Sequence, residues 1–220
     1  MARVARAFRM IGLLGGTFDP IHYGHLRPAQ EIAHTLGLAE VRLIPARQPP
    51  HRPAPHASAQ HRLQMAQLAS QEFPGFSVDD RELRREGPSY TVDTLESLRA
   101  ELGTRPLCWL MGADAFRGIE TWREWERLPE LAHLVVMQRP GAELNVAALP
   151  DWARLRVTTA PDDLNRLVAG RILFQAVTPQ DISATRVRAA IANHEPVQAC
   201  LPAPVWKFIK THHIYINSET

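Results

Sequence analysis

The chain has 220 residues, of which 45% are hydrophobic and 22% are charged. These proportions are typical of a globular protein and exclude a disordered, collagen-like or coiled-coil chain. The formal net charge is only +2, so charge alone does not indicate a nucleic-acid partner.

Short apolar runs alternate with helical patterns along the chain. The predicted strands span residues 10–14, 41–45, 107–111, 134–137 and 172–177, with the last near a sheet edge. The predicted helices span residues 24–36, 59–73, 91–102, 183–193 and 205–211. Ser58 is expected to cap the second helix, and Gly37 and Gly103 to end the first and third.

This alternation predicts an α/β fold, a doubly wound Rossmann-like parallel sheet with helices on both faces. We expect a single domain over residues 1–220 that ends in a small helical part at about 183–220. The least regular stretches are the proline-rich loop 48–55 and the segment 141–163.

Cysteine usage and hydropathy predict the compartment. Cys108 and Cys200 lie far apart without metal-ligand spacing, and Cys108 falls in an apolar run that predicts a core position. The apolar stretch 11–14 is too short for a signal peptide, and no run reaches the roughly 20 apolar residues of a membrane span. We therefore expect a cytoplasmic protein with neither a membrane nor a nucleic acid as partner.

The first predicted strand leads into Gly-Gly-Thr-Phe-Asp-Pro-Ile-His-Tyr-Gly-His, residues 15–25. Two glycines after a strand let the backbone turn tightly and approach a ligand. The loop then reaches a helix start, where free N–H groups favour an anion, and His22 and His25 can point into one crevice. The segment predicts a phosphate cradle with two protonatable donors. Surface histidines or a metal pair are the alternatives, although no cysteine or carboxylate cluster completes a zinc site.

This segment resembles the nucleotidyltransferase superfamily that carries a [TH]-x-G-H signature. The second signature of that superfamily, I-S-[SA]-T-x-x-R, matches residues 182–188, with Ala184 where a second serine often stands. Read alone, the second match is also compatible with a helix cap beside surface arginines. Between the signatures the chain resembles the bacterial nicotinate-nucleotide adenylyltransferases at residues 44–45, 49–53, 80–83, 88–91, 111–114, 121–122, 132–134, 139–140 and 201–202.

The resemblance implies an enzyme that moves AMP from ATP to nicotinate mononucleotide. The products are nicotinate adenine dinucleotide and pyrophosphate, formed in NAD biosynthesis by direct in-line attack without a covalent intermediate. The implied partners are ATP and nicotinate mononucleotide, for a monomer or homodimer. The implied cofactor is Mg²⁺, carried by the ATP phosphates, and no protein ligand is assigned to it.

The resemblance also implies a set of site residues. The implied catalytic residues are His22, His25 and Arg188. The implied ATP-binding residues are Gly15, Gly16, Thr17, Phe18, His22, His25, Gly112, Asp114, Ile182, Ser183, Thr185 and Arg188. The implied mononucleotide-binding residues are His51, Arg52, Tyr90, Thr91, Trp122 and Arg139.

Plainer interpretations exist for several of these residues. Asp114 is also placed to cap a helix, and Trp122 is also placed to pack in the core with Trp125 and Leu128. His51, Arg52 and Arg139 are compatible with a surface role.

Two alternative functions stay open at this point. The first is the same chemistry with nicotinamide mononucleotide, phosphopantetheine or riboflavin phosphate as acceptor. The second is a non-catalytic nucleotide-sensing or RNA-binding module on the same fold, which two intact signatures and the lack of a basic stripe disfavour.

Overall fold

A computed structural model describes residues 10–50, 53–141 and 143–216. The strands are β1 Ile11–Gly16, β2 Glu40–Pro45, β3 Phe76–Val78, β4 Leu107–Gly112, β5 His133–Gln138 and β6 Ile172–Ala176. The helices are α1 Tyr23–Leu36, α2 Ala59–Ser70, α3 Arg81–Arg84, α4 Thr91–Leu102, α5 Ala113–Arg117, α6 Leu128–Leu131, α7 Asp151–Arg154, α8 Asp162–Arg166, α9 Ala184–Ala192 and α10 Ala203–Thr211. Short 3-10 helices span Ile119–Thr121, Trp125–Arg127 and Val146–Ala148.

The six strands form one sheet in the order β3-β2-β1-β4-β5-β6. Every pair of neighbouring strands is parallel, and β6 lies at an edge, as the sequence predicts. The strand order reverses between β1 and β4, and in doubly wound sheets ligands bind beyond the carboxyl ends of the strands at such a point.

The core has two layers, one on each face of the sheet. Leu14 of β1 and Leu110 of β4 belong to the layer that contains the apolar faces of α1, α2, α9 and α10. Leu13 and Trp109 point to the opposite layer, with the buried side chains of α4, α5 and α6. Alternate strand residues therefore serve opposite faces, and the predicted fold with helices on both faces is confirmed.

Several predicted boundaries are wrong, and several short elements were not predicted. The first strand continues through both glycines to residue 16, and the helix predicted over 59–73 ends at Ser70. The strand β3 and the helix α3 were not predicted, and the segment 141–163 contains α7, whose Ala153 is fully buried. Elements of three or four residues are too short to show a hydrophobic period, so only the tertiary structure defines them.

Two further expectations concern the core and the membrane. Cys108 is fully buried, and burial raises the pKa of its thiol to about 12, in agreement with the predicted core position. Within the described ranges, no helix has both the length and the apolar character that crossing a bilayer requires.

Candidate active site

A cleft of about 970 Å³ opens at the carboxyl ends of β1 and β4. Its wall includes Gly16 and His25 from the first signature and Thr185 and Arg188 from the second. The volume lies at the upper end of the range for small-molecule sites, about 300–1,000 Å³. The two signatures, 160 residues apart in sequence, therefore face one cavity.

Gly15 and Gly16, the last two residues of β1, have a different role from the predicted one. They extend the strand, and the turn that follows is made by Phe18, whose φ is 52°. A Cβ on Gly15 would lie 2.5 Å from the Trp109 ring, and a Cβ on Gly16 would lie 2.7 Å from the Phe18 ring. Glycine is required here because neighbouring aromatic rings press on the backbone, and the turn needs no glycine.

His22 and His25 form a stacked pair at the start of α1. Their ring centroids are 3.8 Å apart with an interplanar angle of 26°. The backbone N–H of His22 donates to Nδ1 of His25 at 3.3 Å, so a neutral His25 carries its proton on Nε2 and offers that N–H as a donor. Among the described residues, the cleft wall includes His25 but not His22, which is 4% exposed.

Burial changes the protonation state of His22. It lowers the pKa of the His22 imidazole to about 4, so this ring is neutral near pH 7. Without a bound phosphate, His22 is a neutral ring packed against His25. The expectation that both histidines donate to phosphate stays a prediction.

The lowered pKa predicts a pH-dependent stability. Between pH 6.5 and about 4 the unfolded state binds a proton at residue 22 that the folded state does not. The free energy of unfolding therefore decreases as the pH is lowered through this window. The full loss is on the order of 3 kcal/mol. We expect His22→Asn to make the pH dependence of urea unfolding shallower across this window by that amount.

His34, exposed in the last turn of α1, provides the control for this measurement. His34→Asn should leave the slope unchanged. The buried His133, whose pKa burial also lowers, contributes equally in each protein and cancels. An equal slope for His22→Asn and the unsubstituted chain would contradict the assignment of a neutral buried ring.

The second signature packs directly on the first. A Cβ at Gly24 would lie 3.0 Å from the carbonyl oxygen of Ile182, so these two backbones are in close approach. Arg188 Nη1 donates to the carbonyl oxygen of Asp19 at 2.7 Å, and Nη2 donates to Thr185 Oγ1 at 3.4 Å. The guanidinium of α9 is thereby attached to the turn that precedes α1.

Ser183 and Ile182 serve the helix start more than the cleft wall. Ser183 Oγ accepts the backbone N–H of Arg186 at 3.3 Å and so caps α9. Arg186 forms an ion pair with Asp181 at 2.6 Å. Its side chain is exposed, which agrees with the surface position that the sequence allowed for this arginine. Of the second signature, the described wall contains Ala184, Thr185 and Arg188, and the ATP contacts of Ile182 and Ser183 stay predictions.

The cleft is open beside Gly112 at the end of β4. A Cβ on Gly112 would have no described neighbour within 4 Å, so no described residue fills the space beside it. The Asp114 side chain is fully exposed in the first turn of α5 and pairs with Arg117 at 2.5 Å. It makes no capping hydrogen bond, so the helix-cap interpretation does not account for this residue.

The wall of the cleft also includes the predicted acceptor residues Tyr90, Thr91 and Trp122. Thr91 begins α4, and Tyr90 makes no side-chain cap to the N–H groups of the first turn, where a helix favours an anion. Trp122 lies on the wall and also packs on the core layer that contains Trp125. The Arg123 guanidinium, which the sequence did not single out, lies 4.8 Å from the centroid of the Tyr90 ring.

Three other predicted acceptor residues stay predictions. His51 and Arg52 lie outside the described residues. Arg139 is exposed after β5 and is absent from the described wall of the cleft. The pKa of Asp181 is lowered, first by the hydrogen bond from Arg186 and also by the charge of Arg139, which puts Arg139 on the side of the second signature.

Two buried carboxyl groups on the wall were missed from sequence. Asp19 and Glu82 are 5% and 6% exposed, respectively. Glu82 accepts a hydrogen bond from the Thr94 hydroxyl at 2.6 Å. Burial raises the pKa of the Glu82 carboxyl group, although hydrogen bonds from Thr94 and Ser89 oppose the shift. Asp19 is part of the first signature, but the sequence alone does not show that its carboxylate is buried. The partners that reveal this lie far away in the sequence.

The donor set fits a metal ion that arrives with the nucleotide. Within the described ranges there is no group of three or more His, Cys, Asp or Glu side chains that could hold a metal. The Asp19 oxygens accept hydrogen bonds from Tyr215, His56 and Ala57. Mg²⁺ prefers phosphate oxygens and water as ligands, so an ion bound to the nucleotide phosphates does not require a cluster of protein ligands.

A parallel sheet in this strand order, with two signatures on one cleft, defines a nucleotidyltransferase class. Residues 13–190 match the model of the cytidylyltransferase-like family, and the chain belongs to that family.

Similar proteins narrow the assignment within the family. A probable nicotinate-nucleotide adenylyltransferase of Halorhodospira halophila is 52% identical over 199 residues, covering 90% of this chain and 91% of the relative. One of Aeromonas hydrophila is 48% identical over 206 residues, covering 93% and 96%. The chain therefore groups with the nicotinate-nucleotide adenylyltransferases, an enzyme group that uses a divalent metal with ATP.

Solved structures support the fold. The nicotinic acid mononucleotide adenylyltransferase of Plasmodium falciparum complexed with NaAD aligns with a TM-score of 0.72, covering 96% of this chain and 100% of that chain. The same protein complexed with APC aligns with a TM-score of 0.71. At 16% and 15% identity these similarities show a shared fold.

Proposed function

We propose that this chain transfers AMP from ATP to the phosphate of nicotinate mononucleotide. The observation that carries the proposal is one cleft whose wall includes residues of both signatures together with Tyr90, Thr91 and Trp122. A phosphate oxygen of the mononucleotide attacks the α-phosphorus of ATP, the bond to the β-phosphate oxygen breaks, and pyrophosphate leaves. Such a displacement requires in-line positioning and charge neutralisation rather than a protein nucleophile.

The residues divide this work by position. His25 donates to the α-phosphate as charge builds there, and His22 packs behind this donor and fixes its ring. Arg188 and Thr185 hold the β,γ-phosphates at the start of α9. Gly112 and Asp114 border the adenosine. The family's divalent metal, which we propose to be Mg²⁺, neutralises charge on the triphosphate when bound.

The acceptor side discriminates by charge and by ring stacking. The Tyr90 or Trp122 ring stacks on the pyridine, and the first-turn N–H groups of α4 receive the nicotinate carboxylate. We also propose a single catalytic domain in the cytoplasm, acting as a monomer or homodimer. The buried Cys108 thiol and the lack of a disulfide between Cys108 and Cys200 agree with a reducing compartment.

One assay tests the proposal. Purified protein is mixed with ATP and Mg²⁺ and offered nicotinate mononucleotide or nicotinamide mononucleotide, and pyrophosphate release is followed. We expect release with nicotinate mononucleotide at a kcat/KM well above that for the amide, because the two acceptors differ by a full charge. Equal rates would overturn the choice of acceptor. If neither acceptor gave pyrophosphate, the proposed enzymatic function would be overturned.

A substitution tests the acceptor wall separately. Trp122→Ala is expected to raise the KM for nicotinate mononucleotide roughly 3- to 10-fold, because an aromatic stack contributes about 0.5–1.5 kcal/mol. The KM for ATP should change less than about 2-fold. Trp206→Ala is the matched control, since Trp206 lies in α10 beneath Lys210 and is absent from the described wall. Equal effects of the two substitutions would remove Trp122 from the acceptor site.

A further inference from the structure

The Asp19 carboxylate contacts three distant parts of the chain. Its Oδ1 accepts the Tyr215 hydroxyl at 2.7 Å and the Ala57 N–H at 2.9 Å. Its Oδ2 accepts the His56 N–H at 2.8 Å and lies 3.7 Å from Nη1 of Arg188. A carboxylate that is 5% exposed needs such partners, because an unpaired buried charge is strongly unfavourable.

The hydroxyl of Tyr215 comes from the segment that follows α10, 196 residues along the chain. Ile214, its neighbour, is 7% exposed within the core layer, so this segment is anchored. Burial and the hydrogen bond to Asp19 raise the pKa of the phenol above its usual value, so it stays protonated and donates. Tyr215 is absent from the described wall of the cleft.

The geometry keeps Arg188 from a closer pairing with Asp19. Its Nη1 bonds the Asp19 carbonyl at 2.7 Å and stays 3.7 Å from the carboxylate. The phenol, two backbone N–H groups and the His56 ring, whose Nδ1 lies 3.3 Å from Oδ2, already occupy the carboxylate oxygens. The positive charge of Arg188 is therefore left for another anion at the cleft wall.

We infer that Tyr215 is a positioning residue for adenylyl transfer, which holds the Asp19 carboxylate so that Arg188 faces the triphosphate. The inference rests on the role proposed for Arg188. Without the phenol hydroxyl, Oδ1 keeps one donor, and the carboxylate turns to the nearest cation to replace the lost bond. Arg188 then pairs with Asp19 and holds phosphate less well.

The experiment compares Tyr215→Phe with Tyr23→Phe. Tyr23 is a matched control because its hydroxyl donates to Glu72 at 3.2 Å on the exposed surface. We expect Tyr215→Phe to raise the KM for ATP roughly tenfold, with the KM for nicotinate mononucleotide within about 2-fold and the chain still folded, since phenylalanine fills the same space. Tyr23→Phe should change neither KM. A lower melting temperature with unchanged kinetic constants would overturn the inference and leave Tyr215 a structural residue.

The pH profile provides a second readout. Besides the phenol, the groups that face the Asp19 carboxylate are His56, Arg62 of α2 and Arg188 of α9. Although burial raises the pKa of Asp19, hydrogen bonds led by that of Tyr215 lower it below its usual value. Removal of the hydroxyl should therefore move the acid limb of kcat/KM for ATP to higher pH. An unmoved limb would contradict the inference.

Arg188→Lys separates this inference from the function on which it rests. If Arg188→Lys leaves the KM for ATP unchanged, the proposed role of Arg188 fails, and the inference fails with it. If Arg188→Lys raises that KM and Tyr215→Phe does not, only the inference fails. If both raise it, we expect their combined effect to be smaller than the product, because both act through one guanidinium.

Discussion

Replacement of His25 by alanine is expected to lower kcat by about 10²–10³-fold while the affinity for ATP changes far less. Removal of one donor aimed at a charge that develops in the transition state typically costs this factor. His25 lies on the cleft wall, and because its Nδ1 accepts the His22 N–H, the neutral ring carries its proton on Nε2. Single-turnover rates of pyrophosphate release, with ATP dissociation constants measured by titration, test this result.

Two further variants complete the histidine experiment. His22→Ala should also lower kcat far more than ATP affinity, because His22 stacks on His25 at 3.8 Å and holds its ring. His34→Ala, at the exposed end of the same helix, should leave kcat unchanged. Turnover that survives both His22→Ala and His25→Ala would remove the pair from the chemistry.

Gly24→Ala is expected to lower kcat/KM for ATP on the order of tenfold. The added Cβ would lie 2.9 Å from the His22 ring and 3.0 Å from the Ile182 carbonyl oxygen, tighter than ordinary Cβ contacts. Because the second contact is with backbone, the two signatures must separate by a few tenths of an ångström. A displacement of about 1 Å at a catalytic site costs on the order of 10²-fold, and this smaller shift is expected to cost about tenfold.

Gly37→Ala is the control for Gly24→Ala, since it ends the same helix. Its φ is 62° and a Cβ there would meet nothing within 4 Å, so the substitution lowers stability by about 1 kcal/mol through backbone strain alone. We expect a lower melting temperature with unchanged kcat/KM. If Gly24→Ala showed the same pattern, close packing of the signatures would not matter for activity.

The sequence was sufficient for the fold class and for most of the triphosphate side. Five of the six strands were predicted, because runs of four to six apolar residues between helical patterns are characteristic of buried parallel strands. The predictions of His25, Thr185 and Arg188 placed residues that do meet in one cleft, although their roles stay predictions. Local patterns were enough here because each signature keeps its own turn and helix start.

The sequence did not reveal the interactions that depend on distant partners. Arg62 sits within α2 at 1% exposure and donates to the carbonyl oxygens of Thr17 and Ala46, a placement that an arginine in a helix does not suggest. The acceptor side was predicted less completely, since Arg139 lies toward the second signature and Glu82 was not noticed. Side-chain direction at an exposed strand end is decided by neighbours.

By itself, the sequence determined the parallel α/β fold, the two signatures and the residue types available for the chemistry. Only the tertiary structure decided that His22 is neutral, that glycines 15 and 16 accommodate aromatic rings, and that Tyr215 reaches Asp19. Hydrophobic period and helix caps are local, and a single chain segment displays them. Protonation, close packing and buried hydrogen bonds depend on which segments fold against one another, and that is a property of the whole chain.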